Sequence, residues 1–197
     1  MINLYEQFLY YWLLWIIFII VAFFMETSRR RLFFMLWILT VIICSPYYIA
    51  FNKMDVSLAF FVTLIGAIIF FAFETITLYK FFVTFTVMIS YVSLLIWEKI
   101  TPIWFFMPSY LMIPFITVII ILLLSRRFYE QLTVALVGFA FGHFVYDLLL
   151  ISYNLHDVIG DETFFIHVSI IVLFLTIMKF FHFIFYKFAR IFERKLT

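Results

Sequence analysis

The sequence predicts an all-α fold: a polytopic membrane helix bundle of seven transmembrane helices, N-terminus outside and C-terminus cytoplasmic. Three observations carry that prediction. The composition is 68% hydrophobic and 12% charged, which leaves too little polar surface to clothe a water-soluble globule of 197 residues. Apolar runs close to the roughly 20 residues that a helix needs to cross hydrocarbon recur along the chain, separated by short polar breaks. The basic residues gather at alternate breaks.

Taken in order, the runs are 8–25, 32–50, 56–73, 81–97, 103–124, 132–152 and 164–181, followed by a basic stretch at 182–197. Glu6 precedes the first run and Arg29, Arg30 and Arg31 follow it, the reverse of a secretory signal's charge order, so this run is expected to stay attached. Pro46 is expected to bend the outer end of the second run. The fifth holds Pro108 and Pro114, each lacking an amide hydrogen, so a kink or a late start is expected there. No break is long enough for a soluble domain, and the whole chain is read as one integral membrane domain.

Threaded with the amino terminus outside, Arg29, Arg30, Arg31, Lys80, Arg126, Arg127, Lys187, Arg190, Arg194 and Lys195 fall on one side, ten of the 13 basic residues. Lys53 and Lys99 fall on the other, and Lys179 lies within the last run. Positive flanks resist translocation, so the crowded side is expected to be cytoplasmic.

At the amino end, "YYWLLWIIFIIVAFFM", a basic turn and then "IICSPYYIAF" resemble the YphA-type membrane proteins of spore-forming Firmicutes. The resemblance is clearest over the first 50 or so residues. It implies a bacterial membrane protein with a context in sporulation and the spore envelope, and it supplies no catalytic residue.

The sixth run carries the most informative stretch, "GFAFGHFVYD". Gly138 and Gly142 form a GxxxG that Ala135 extends, and small residues let two membrane helices approach closely. Ala59, Thr63, Gly66 and Ala67 form a matching stripe on the third run, so packing of the third run on the sixth is expected, either within one chain or across a homodimer. His143 and Asp147 lie one helical turn apart, with Asp147 about 7 Å from the outer end of its helix. His167 on the seventh run and Ser93 on the fourth fall near that depth, Ser93 ending a stripe with Thr86 and Ser90. Charge in hydrocarbon is costly, so these groups are expected to face inward and form a polar pocket open to the outside.

Three readings of that cluster stand side by side. A hydrogen-bonded structural network is the leading one. A proton, ion or solute path is the rival, resting on the near-neutral titration of histidine. A metal held by His143, Asp147 and His167 is the third, and no metal or other cofactor is assigned. His156, Asp157, Asp161 and Glu162 in the last outer loop are read as solvated, with Gly160 making the turn.

Beyond 181, basic residues alternate with phenylalanine, so the last helix is expected to continue as an amphipathic segment. Lys187, Arg190, Arg194 and Lys195 would contact the inner leaflet there, with anionic lipids a possible partner. The basic residues are juxtamembrane, which argues against nucleic-acid binding. With a single cysteine, Cys44, no intrachain disulfide forms, and no phosphate loop, zinc-protease or hydrolase motif occurs, so an enzyme is not expected.

Overall fold

A computed structural model describes residues 4–51, 54–75, 77–101, 103, 107–153, 155 and 158–196, with the backbone alone at 4–7, 51, 54, 183 and 186–196. Among the described residues there are seven helices: α1 (Leu4–Phe24), α2 (Arg29–Cys44), α3 (Leu58–Phe73), α4 (Leu78–Ile100), α5 (Ser109–Leu124), α6 (Phe128–Ser152) and α7 (Glu162–Leu196). By length and composition, α4, α6 and the Glu162–His182 part of α7 are long and apolar enough to cross a membrane. The apolar helices 8–24, α3 and α5 are shorter. The helix termini alternate between two ends of the bundle. One carries the basic turns before α2 and α6 and is called here the arginine end; the other is the hairpin end.

Proline chemistry explains where boundaries depart from the sequence reading. Pro46 does not bend a helix running to Ala50: it ends α2 at Cys44, because it lacks an amide hydrogen and disfavours a helical residue before it. The chain then forms β1 (Tyr48–Phe51), paired antiparallel with β2 (Met54–Ser57), and α3 starts only at Leu58. Asp55 and Val56 pair in parallel with β3 (Val158–Ile159), so a three-stranded cap ties the α2–α3 and α6–α7 connections together. Pro108 takes the N-cap of α5, the late start expected of that run, while Pro114 is retained inside the helix.

Helix α6 is the centre of the bundle. Every residue from Gln131 to Ala140 is buried, which happens only when a helix is covered on all sides. It packs on α3, α4, α5 and α7, while α7 also packs on α1 and α5. Helices α1 and α2 contact α7 and α3 respectively, and leave a gap between themselves and α6. Outward positions are strongly apolar: Phe23 is 81% exposed, Phe82 64% and Leu123 80%. Such faces suit hydrocarbon rather than water.

The small residues do fill close contacts, but with partners other than those expected. A Cβ at Gly138 would lie 2.8 Å from Val87 and one at Gly142 would lie 2.9 Å from Tyr91, both on α4. The GxxxG therefore seats α4 on α6 inside one chain, in place of the expected seam with α3 or a second copy. Gly66 instead admits the Trp37 ring of α2, whose Nε1 donates to the Val62 carbonyl at 3.0 Å. Helix α3 still packs on α6, with Ala59, Thr63 and Ala67 buried and Thr63 Oγ1 bonded to Ala59 O within its own helix. Ala135 is fully buried at the centre.

Candidate functional site

Three helices and one loop meet at the hairpin end to build a polar cluster. From α6 come His143 and Asp147, from α7 His167, from α4 Tyr91, and from the loop before α7 Gly160 and Asp161. His143 and Asp147 are each 1% exposed and His167 2%. In place of the expected pocket open to solvent, both histidines and Asp147 are buried beneath Phe60, Phe164 and the cap strand β3, and Asp161 alone of the cluster's acids stays partly exposed at its edge.

Its geometry is specific. The Tyr91 hydroxyl lies 3.3 Å from His143 Nδ1 and 3.0 Å from His167 Nδ1, bridging the two rings. His143 Nε2 faces two carboxylates, Asp147 Oδ2 at 3.4 Å and Asp161 Oδ1 at 3.3 Å. Asp147 Oδ2 also accepts the Gly160 amide at 2.9 Å. Gly160 has φ +74, a left-handed conformation open to glycine, and a Cβ there would run into Phe60. Asp161 caps α7, its Oδ1 accepting the Phe164 amide at 3.2 Å and the Thr163 hydroxyl.

Proton inventory limits what this arrangement can be. Between two carboxylates, Nε2 of His143 must carry hydrogen. If His143 is neutral, its Nδ1 accepts from Tyr91, and His167 Nδ1 must then donate to the same hydroxyl. If His143 is doubly protonated, Tyr91 turns and donates to His167 instead. Two self-consistent patterns exist, related by one proton added to the cluster, rotation of one hydroxyl and a tautomer change in His167. Outside the helices, burial alone would raise the Asp161 carboxyl, but the His143 bond and charge, Thr163 and the Phe164 amide hold it well below the usual carboxylate range. Burial and then the Glu162 carboxylate, 3.5 Å away, push the Tyr48 phenol of β1 up to about 12.

Not every residue singled out in the sequence belongs here. Ser93 is exposed, and Ser90 and Thr86 donate to carbonyls of their own helix at 2.8 and 2.9 Å, so the α4 stripe is not part of the cluster. Asp161 is not a solvated loop residue but a direct neighbour of His143. Tyr91 went unnoticed, although a tyrosine midway along an apolar run, away from the interfacial belts, is itself a signal. His143, Asp147, Asp161 and His167 are not arranged as a metal-binding group among the described residues. His156 and Asp157 lie outside the described residues, as do the side chains of Lys187, Arg190, Arg194 and Lys195, although the α7 backbone stays helical through that stretch.

A family model described as YphA-like integral membrane protein matches residues 6–197. The chain belongs to the YphA-like family. No curated protein and no solved structure matches it. As a YphA-like integral membrane protein, the chain meets lipid with its apolar outer faces, and its buried polar groups must find partners in the bundle because hydrocarbon offers none. The match extends the likeness seen at the amino terminus across nearly the whole chain.

Proposed function

We propose that this protein is a seven-span protein of the bacterial cytoplasmic membrane with a structural or assembly role, and that the buried cluster is its internal clamp. The observation that carries this reading is the mutual engagement of Asp147 with Gly160, Asp161 with the start of α7, and Tyr91 with both histidines, with every side chain but the partly exposed Asp161 out of contact with water. A clamp of this kind sets helix register and holds the cap strands on α6. The spore envelope is the setting that the family resemblance suggests. Short connections leave no room for a catalytic domain, consistent with a role that makes or breaks no covalent bond.

In this reading the amino terminus lies outside and the arginine end in the cytoplasm, supported by the grouping of Arg29, Arg30, Arg31, Lys80, Arg126 and Arg127 at that end. Reporter fusions at both termini test the threading; an extracellular carboxyl end reverses it. One observation favours a second reading: the two proton patterns across His143, Tyr91 and His167 describe a relay. Proton flux into liposomes separates the two. A clamp predicts equal flux from wild type, Asp147→Asn and Tyr91→Phe, whereas a relay predicts flux in the wild type that Tyr91→Phe abolishes.

A further inference from the structure

The gap between α1, α2, α6 and α7 is a cavity of about 310 Å³, unlike the polar clamp in character and lined by none of its residues. Its walls are mostly aliphatic and aromatic, with Ile17, Val41, Leu132, Leu136 and Val172 representative. The hydroxyls of Thr63 and Thr176 on its lining bond carbonyls of their own helices at 2.9 and 2.7 Å, which leaves the buried Ser169 Oγ as a lining hydroxyl without a hydrogen-bond partner among the described residues. One hydroxyl among apolar walls gives water little to hold it in such a space. Left empty, the walls would forfeit their dispersion contacts.

The cavity has a direction. Lys179 stands on the lining toward the arginine end, its Nζ 4.1 Å from the centre of the Phe128 ring and 5.2 Å from that of Tyr129. Arg30 lies over the same Tyr129 ring at 5.1 Å. Arg30 is paired with Glu74 at 3.1 Å, whereas among the described residues no carboxylate lies within ion-pair distance of Lys179, Glu26 acting on it only from farther off. Phe165, also on the lining, is about 21 Å along α7 from Lys179 at a rise of about 1.5 Å per residue. That fits within the roughly 30 Å thickness of a hydrocarbon core.

We propose that this cavity receives an acyl chain of an anionic phospholipid from the leaflet at the arginine end, with the headgroup phosphate set against Lys179. The lining matches a hydrocarbon chain, and the mouth presents an ammonium that lacks a close carboxylate beside a second cation. This assignment stands apart from the clamp reading, since it uses none of the clamp's residues.

Photo-crosslinking of the full chain in nanodiscs tests it. The probes are phosphatidylglycerol and phosphatidylcholine, each with a diazirine in the acyl chain, and adducts are mapped by mass spectrometry. Adducts on Leu132 and Leu136, which are 7% and 5% exposed, are expected with phosphatidylglycerol in excess over phosphatidylcholine. Lys179→Gln is expected to lower the phosphatidylglycerol adducts about fivefold, the worth of one cation beside an anionic surface, while Lys179→Arg retains them. Adducts confined to outward residues such as Phe82 and Leu123 would overturn the proposal. Equal labelling by the two lipids, or labelling unchanged in Lys179→Gln, would overturn it as well. Each variant's adducts at Phe82 serve as an internal control for its folding and insertion.

Discussion

The two ends of the bundle handle buried chemistry in opposite ways. At the hairpin end, five polar side chains from three helices and a loop are packed against one another, and glycine is used where nothing larger fits. At the arginine end, Lys179 and Lys80 are set against aromatic rings, with Lys80 Nζ 3.9 Å from the Phe71 ring centre and donating to Phe71 O at 3.1 Å. The first arrangement satisfies charge with charge and leaves no slack. The second satisfies it with ring faces and a helix C-terminal carbonyl, and beside Lys179 it leaves a cavity. The contrast shows that rigidity and room are divided between the ends of one small membrane protein.

The comparison is broken most severely by removing the group that two carboxylates share. His143→Leu leaves the buried Asp147 uncompensated beside the partly exposed Asp161, and a loss of about 3–5 kcal/mol is expected in reversible unfolding from detergent micelles. A loss below 1 kcal/mol would mean that the two acids are solvated. Next in size are the close approaches at the same end. Gly142→Ala forces a methyl against Tyr91 Cδ1 at 2.9 Å and Met88 O at 3.2 Å, for an expected cost of about 1–3 kcal/mol in the same assay. Gly160→Ala, strained in backbone as well as blocked by Phe60, should cost no less.

A subtler effect is pH dependence. The folded state holds Asp161 below its unfolded value of about 3.9, so its contribution is complete above that value and is lost as pH falls through and beneath it. Unfolding followed from pH 6 down to pH 3 should show a decline that Asp161→Asn flattens; parallel curves for the two proteins would refute the coupling. Smallest of all are changes at the arginine end. Lys179→Gln and Glu74→Gln, the latter breaking a half-exposed pair with Arg30, should each shift stability by less than about 1 kcal/mol. A larger loss at either would show that this end is as tightly built as the other.

How much of this was legible beforehand follows from which interactions are local. The oily runs and their charge asymmetry are properties of neighbours in sequence, so helix number and the grouping of Arg29–31 with Arg126 and Arg127 could be read directly. His143 and Asp147 could be paired because a helix puts residues four apart on one face. Tyr91 and Asp161 could not be joined to them, since a loop residue has no period and α4 docks through a glycine seam that fits several partners equally on paper. For the same reason Gly66 was matched with α6, although only Trp37 on α2 is large enough and near enough to occupy its notch.

The sequence by itself determined that this chain belongs in a membrane, how its helices are spaced, and which polar groups would be costly to leave alone, because transfer free energy is summed residue by residue along the chain. Only the tertiary structure decided which helix fills which groove, that Pro46 terminates α2 in favour of a strand cap, that His143, Asp147 and His167 are buried together, and that a cavity lies beside Lys179. Those outcomes depend on side-chain volumes meeting across distances that no local pattern records.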